Sequence, residues 1–286
     1  MKNIISLFAV IFAVITFSSC DPIENRQEMK GATTMAKIDN LVSVTQETMA
    51  GPGGKTLNTN YLNLKSDGLD ALSSWDYVSG IYVGTKSRVQ LVLPGENTIV
   101  FTALNGDGTQ LTKSFTVHVD TLLDVSPVWG ILCGTGSKVW TWDPSVGNPY
   151  GMGDALGSSA ADWWGPDISK NPEGPGATMT FSVKGAALTK NLSDGATVKG
   201  TFAFDMTKMT PSDYKRSSGT LTTSVPVLVG QTTGANTGNG SSGKDVVAYQ
   251  IIKLDEDHLW LSWPESNFKP SDGWGQATLW FFKSAK

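Results

Sequence analysis

Hydrophobic and polar positions alternate with a period of two along much of this chain. Ile99, Phe101 and Ala103 alternate with Thr98, Val100 and Thr102, and Phe115, Val117 and Val119 alternate with Ser114, Thr116 and His118. Such a period places successive side chains on opposite faces of a strand. Between these runs lies Asn105-Gly106-Asp107-Gly108, where Asn-Gly is expected to supply the positive φ of a tight hairpin turn. Pro94-Gly95 marks the preceding turn. No stretch of residues 37–120 sustains a helical period, so the pattern predicts a small β-sandwich there. The strand signal resumes further on. Met179, Phe181 and Val183 share one parity, as do Val198, Phe202, Phe204 and Met206. Residues 246–254 read as a long strand that Asp255-Glu256-Asp257 turns into a strand over 258–263. Residues 278–282 are bulky on both parities, which predicts a strand buried on two faces. Residues 232–243 are Gly, Ser, Thr and Asn and read as a mobile loop. The whole is expected to be all-β, with a second sandwich of the jelly-roll kind and a lipocalin-like barrel as the alternative.

The N-terminus breaks this pattern. Lys2 precedes an apolar run over 4–17 that ends in Phe17-Ser18-Ser19-Cys20. The run is short against the ~20 residues a membrane span needs, and it has the layout of a cleaved export signal. Ser18-Ser19-Cys20 resembles the lipobox of bacterial lipoproteins, with Phe17 where that family carries Leu, Val or Ile. The resemblance implies that residues 1–19 are removed and that Cys20 becomes the lipidated N-terminus. Several acyl chains anchor stably where one binds marginally. Residues 20–36 are polar and aperiodic, as expected of a flexible tether. Cys133 is the only other cysteine. With Cys20 lipidated it has no intramolecular partner, and stability must come from a core. The net charge of −4 argues against a nucleic-acid partner.

Two further resemblances divide the chain. Ser74-Trp75-Asp76-Tyr77, the run from Leu93 through Phe101, Asn105-Gly106-Asp107-Gly108 and Phe115-Thr116-Val117 look like a PKD-type, immunoglobulin-like domain over 37–120. That family implies a spacer or interaction module. Residues 121–127 read as a linker. Over 128–286, Lys138-Val139-Trp140-Thr141-Trp142-Asp143, the Gly/Asn-rich stretch 147–153, Trp163-Trp164 and a Trp-containing terminal strand resemble C-terminal domains of Bacteroidetes surface lipoproteins. This implies a surface glycan-binding protein of the outer membrane. Its partners would be an oligo- or polysaccharide, the membrane through the lipid, and an outer-membrane transporter complex. A structural or partner-binding surface lipoprotein, and a glycoside hydrolase, are the alternatives.

Reactive chemistry is sparse. His118 and His258 fall in different domains without Cys or His partners at metal-ligand spacing, so neither a metal site nor a cofactor is expected. No Gly-x-Ser-x-Gly elbow is present. Gly134-Thr135-Gly136-Ser137-Lys138 has the wrong order for a phosphate loop and leads into a strand. Asp143, Asp154, Asp162, Asp167 and Glu173 lie in one loop-rich stretch. A glycosidase needs two carboxyls roughly 5–9 Å apart, but the Glu-x-Asp-x-x-Glu pattern of laminarinase-like hydrolases is missing, and solvated loop acids are the simpler reading. No catalytic residue is expected.

Tryptophan remains. Nine of the ten tryptophans lie between Trp129 and Trp280. A pyranose packs its C–H face on an aromatic plane, while its hydroxyls seek carboxylates and amides, and rigid aromatic surface costs little entropy on binding. Trp163, Trp164 and Trp274 sit among Gly, Pro and Asp and are the leading candidate platforms. Trp140 and Trp142 share strand parity and rank lower, because such pairs so often form core. Asp143, Asn148 and Asp162 are the nearest polar residues in sequence for sugar hydroxyls.

Overall fold

The computed structural model describes residues 32–233 and 243–285. The export signal, Cys20, most of the tether and most of the 232–243 loop lie outside the described residues. No helix of the described residues is long and apolar enough to cross a membrane. The fold is all-β.

The chain enters on a helix, α1 (Met35–Leu41), where tether and strand were expected. Seven residues are too few to show a helical period and too few to hold a helix by propensity. Tertiary contacts hold it instead. The Thr34 hydroxyl caps the Lys37 N–H, Ile38 is buried, and the Asn105 carboxamide bonds both the N–H and the carbonyl of Thr33. The helix thus begins inside the stretch assigned to the tether.

Seven strands then form two sheets. Strands β1 (Ser43–Ala50), β2 (Thr56–Lys65) and β5 (Lys86–Gln90) make one, in the order β1-β2-β5. Strands β3 (Leu72–Asp76), β4 (Ile81–Val83), β6 (Gly95–Leu104) and β7 (Gln110–Val119) make the other, in the order β4-β3-β6-β7. Their shared core gathers Ile38, Leu62, Leu64, Ile99 and Phe101 around Trp75, whose ring lies 4.7 Å from Phe101 and whose N–H reaches the Gly84 carbonyl. The β6–β7 turn differs from expectation. Gly108, not Gly106, takes the left-handed position (φ +87°), and Asn105 faces inward to hold Thr33. A longer loop than the Asn-Gly dipeptide implies results, with Asn105 N–H bonded to the Thr109 carbonyl.

The C-terminal half closes on itself. After a short helix, α2 (Val128–Cys133), come β8 (Ser137–Trp142), β9 (Tyr150–Asp154), β10 (Thr178–Ser182), β11 (Ala187–Asn191), β12 (Thr197–Asp205), β13 (Gly219–Thr223), β14 (Ala248–Leu254), β15 (His258–Pro264) and β16 (Gln276–Ser284). Strand β8 pairs with β10, each strand from β10 to β15 pairs antiparallel with the next, and β16 bonds β15 on one edge and β8 on the other. This is an eight-stranded up-and-down barrel. The jelly roll is therefore replaced by the barrel alternative. Alternation reports only which face is buried, whereas strand order depends on pairings far apart in sequence.

Eight strands enclose a space that side chains fill. Trp140, Trp142, Phe181, Phe202, Tyr249, Trp280 and Phe282 occupy it. One end receives Val128 and Leu132 of α2, the latter accepting a bond from the Trp140 indole. At the other end Val227, Leu228 and Val229 turn inward, and the Trp280 indole bonds the Val229 carbonyl. Lys190 is buried there and pairs with Glu173 at 2.5 Å. Cys133 is a free, buried thiol, and burial pushes its pKa up to about 12.

Candidate functional site

Strand β16 is buried on both faces, as its bulky parities predict. Trp280 and Phe282 point into the barrel, while Ala277, Leu279 and Phe281 lie under an outer layer with Val146, Ala155, Tyr214 and Phe268. That layer is laid down by the connections after β8, after β12 and after β15. The exposed tryptophans stand on it.

Strand β9 explains how the first loop is held. It pairs with β16 beside the stretch that β8 occupies, and it reads Tyr150-Gly151-Met152-Gly153-Asp154. Its two glycines share a face, and that bare face receives the returning chain. A Cβ on Gly151 would stand 2.1 Å from the Trp164 carbonyl oxygen, at a φ of +141°. A Cβ on Gly153 would stand 2.8 Å from Ser158 Oγ and 2.9 Å from Asp162 Oδ1. The Met152 carbonyl accepts from the Trp163 N–H at 3.0 Å, and Met152 and Trp164 form a β-bridge. The Asn148 carbonyl accepts from Ala161 N–H at 3.0 Å.

The second loop is locked to the first. Asp154 Oδ1 accepts from the N–H groups of Leu156 and Gly275, and Ala155 N–H donates to the Gly275 carbonyl. Gly273 takes the left-handed position (φ +80°) that ends the short turn over 270–272. Gly275 lies where a Cβ would meet the Phe268 ring at 2.1 Å. Arg216, from the connection after β12, donates to the carbonyls of Asp154, Ala155 and Ser158. Burial lowers its pKa, while Tyr214, Asp154 and Asp162 nearby favour its charge. Tyr214 donates to the Ala155 carbonyl and packs edge-on against Phe268.

These bonds bring together two residues 111 positions apart in sequence. The indoles of Trp163 and Trp274 lie 6.0 Å apart, inclined at 57°. Trp163 is 48% exposed, Trp164 51% and Trp274 60%. The separation is that of rings in mutual contact. Asp162, exposed beside Trp163, accepts from Ser158 Oγ at 2.6 Å.

Other expected site residues lie elsewhere. Trp140 (0% exposed) and Trp142 (8%) are barrel core, because their shared parity points inward. Asp143 is 2% exposed, and its Oδ1 accepts from the N–H and hydroxyl of Ser145, so it does not reach the surface that carries the Trp pair. Asn148 is half-buried and serves the loop: its Oδ1 accepts from Tyr150 N–H, and its Nδ2 fills the space a Gly165 Cβ would need. The remaining acids of that stretch are likewise engaged, Asp167 with Ser169 and Lys170, and Glu173 with Lys190 and the Gly230 N–H. From sequence Asp154 reads only as a solvated loop acid, and neither Arg216 nor the Gly-x-Gly of β9 is singled out. A period-two spacing of Gly151 and Gly153 was the available signal.

A shallow cleft on the barrel wall, about 540 Å³, brings a hydroxyl, an imidazole and a carboxylate into one lining, from Ser145, His258 and Asp143, with Lys283. His258 Nδ1 faces Asp255 Oδ1 at 2.8 Å. The Ser145 hydroxyl, however, donates to Asp143, so the bond from nucleophile to base that a triad requires is not made there. Among the described residues no cluster of three or more His, Cys, Asp or Glu could hold a metal ion. The chain matches no protein-family model and no curated protein.

Proposed function

We propose that this chain is a lipid-anchored, non-catalytic glycan-binding protein of a bacterial cell surface, and that Trp163 and Trp274 are its sugar-stacking surface. The observation that carries the reading is the exposed ring pair. Leaving large aromatic faces in water forgoes burial worth several kcal/mol, roughly 25 cal/mol per Å². Here two such faces sit side by side on loops that Asp154, Arg216 and Gly151 hold rigidly. A rigid aromatic surface beside a carboxylate, Asp162, is what a pyranose needs: a flat partner for its C–H face and an acceptor for its hydroxyls. The PKD-type domain would then be the spacer, the lipid on Cys20 the anchor, and an outer-membrane transporter the machinery supplied. Glycan-array binding by the mature protein, compared with W163A and W274A, tests this. Binding that each substitution weakens is expected, and equal binding by all three proteins refutes it. Detergent partitioning of C20A, expected to shift into the aqueous phase, tests the anchor.

The second reading, a partner-binding subunit, draws on Leu72, Ile81 and Val83, which are exposed on β3 and β4 of the N-terminal sandwich. An apolar sheet face open to water is the kind of surface that protein partners cover.

A further inference from the structure

We infer that the Trp163–Trp274 pair takes a single, uncharged polysaccharide chain whose successive sugar rings turn relative to one another, and not the flat face of a crystalline array; the inference rests on the glycan reading above. The argument begins with the angle. Two rings inclined at 57° cannot both lie flat on one plane. A crystalline polysaccharide surface presents coplanar sugar faces, so only one of the two indoles could stack on it. A free chain with a helical twist presents successive faces at an inclination, and each indole then has its own sugar to pack against. The separation adds a second constraint. At 6.0 Å the indoles touch each other, so no ring enters between them. The sugars they contact must lie along the outside of the pair as near neighbours in one chain.

The fold ties down the backbone that carries each indole. Trp163 is tied to β9 through Met152, and Trp274 is tied to the end of β9 through Gly275, which both receives a bond from Ala155 and donates one to Asp154. The close approaches at Gly151 and Gly275 seat the backbone of each loop tightly against its neighbours, with no room for a side chain at either position.

Charge selects among chains. The two loops that carry the pair, 155–165 and 265–275, hold Asp162, Glu265 and Asp272 against one lysine, Lys269. The Arg216 guanidinium, which bonds the first of these loops, directs both of its Nη groups to the backbone carbonyls of Asp154, Ala155 and Ser158. A uronate or sulfated chain would meet net negative charge on these two loops. Hydroxyls, by contrast, find acceptors there.

The test uses the full-length protein in detergent. Calorimetric titration with neutral oligosaccharides of the maltose, laminarin, xylan and mannan series is set beside pull-down on crystalline cellulose and chitin powders and titration with polygalacturonate. At least one soluble neutral series should bind, with a steep gain from monosaccharide to disaccharide as the second ring engages. W163A and W274A should each weaken that binding roughly tenfold to a hundredfold, the scale of one stacked ring, while W163F and W274F retain most of it. Unchanged melting of the variants separates lost stacking from lost fold. Powder binding that soluble chains do not compete, or preference for polygalacturonate, overturns the inference and leaves the glycan reading standing. Binding to none of these probes overturns both.

Discussion

At the scale of single residues, one device recurs. Asp107, Asp143, Asp167 and Asp205 each stand two positions before a Ser or Thr, and each Oδ1 accepts from both the N–H and the hydroxyl of that residue. The motif closes a turn locally, as Asp does wherever its carboxylate can reach the backbone two residues on. Hydroxyl and backbone bonds hold the carboxyls of Asp107, Asp167 and Asp205 below their usual range. A carboxyl whose folded pKa is depressed contributes stability above its unfolded pKa, and the contribution is lost as pH falls through the folded value. The melting temperature should therefore fall as pH drops below about 4, and the D107N/D167N/D205N variant, which keeps the acceptor oxygen without the proton, should lose less over that window. Identical acid limbs would show that these turns carry no linkage. Tryptophans divide by burial at the same scale. W140A should cost about 3–5 kcal/mol in urea unfolding, as expected for an emptied core site. W163A should cost about 1 kcal/mol or less, since a surface residue contributes little.

At the scale of elements, the glycines of β9 decide where the platform lies. A methyl group at position 151 would meet the Trp164 carbonyl oxygen and force an L residue into φ +141°. G151A should destabilise by on the order of 1–3 kcal/mol and reduce glycan binding with the far-UV spectrum of the barrel unchanged. Gly147, whose Cβ would meet nothing within 4 Å, is the control, and G147A should bind as wild type. Equal binding by both variants would mean that the fold-back of the 158–165 segment does not position Trp163. The stretch over 147–153 is visible in the sequence as Gly-rich, and it reads as loop for that reason. Its strand character comes from β16, whose edge supplies the backbone bonds that a Gly-rich segment does not secure by propensity.

At the scale of the molecule, the sandwich and the barrel meet on apolar surface. Leu93 is buried in the barrel's core cluster, and Val78 and Val92 pack against it. Asp76 pairs with Lys184 at 2.5 Å. The linker is bonded as well, with Leu123 joined to the Asn60 side chain through both its N–H and its carbonyl. L93A should therefore cost about 2–4 kcal/mol and should separate the unfolding of the sandwich from that of the barrel, followed by tryptophan fluorescence and far-UV dichroism. An unchanged single transition would mean that this contact does not couple them.

Local pattern determined the all-β class, the positions of most strands, the two-sided burial of β16 and the exposure of Trp163, Trp164 and Trp274 as against the burial of Trp140 and Trp142. Each of these follows from which face of a strand a residue occupies or from the company a residue keeps within a few positions, and the chain carries that information locally. The barrel, the helix at Met35–Leu41, the inward turn of Asn105 and the burial of Asp143 were decided only in three dimensions. So was the pairing of Trp163 with Trp274, residues that no periodicity relates. Closure needed β16 to bond β15 and β8 at once, and the ring pair needed Asp154 to hold Gly275 across 121 positions. Contacts of that separation are set by packing of the whole core, and a short window of sequence does not contain them.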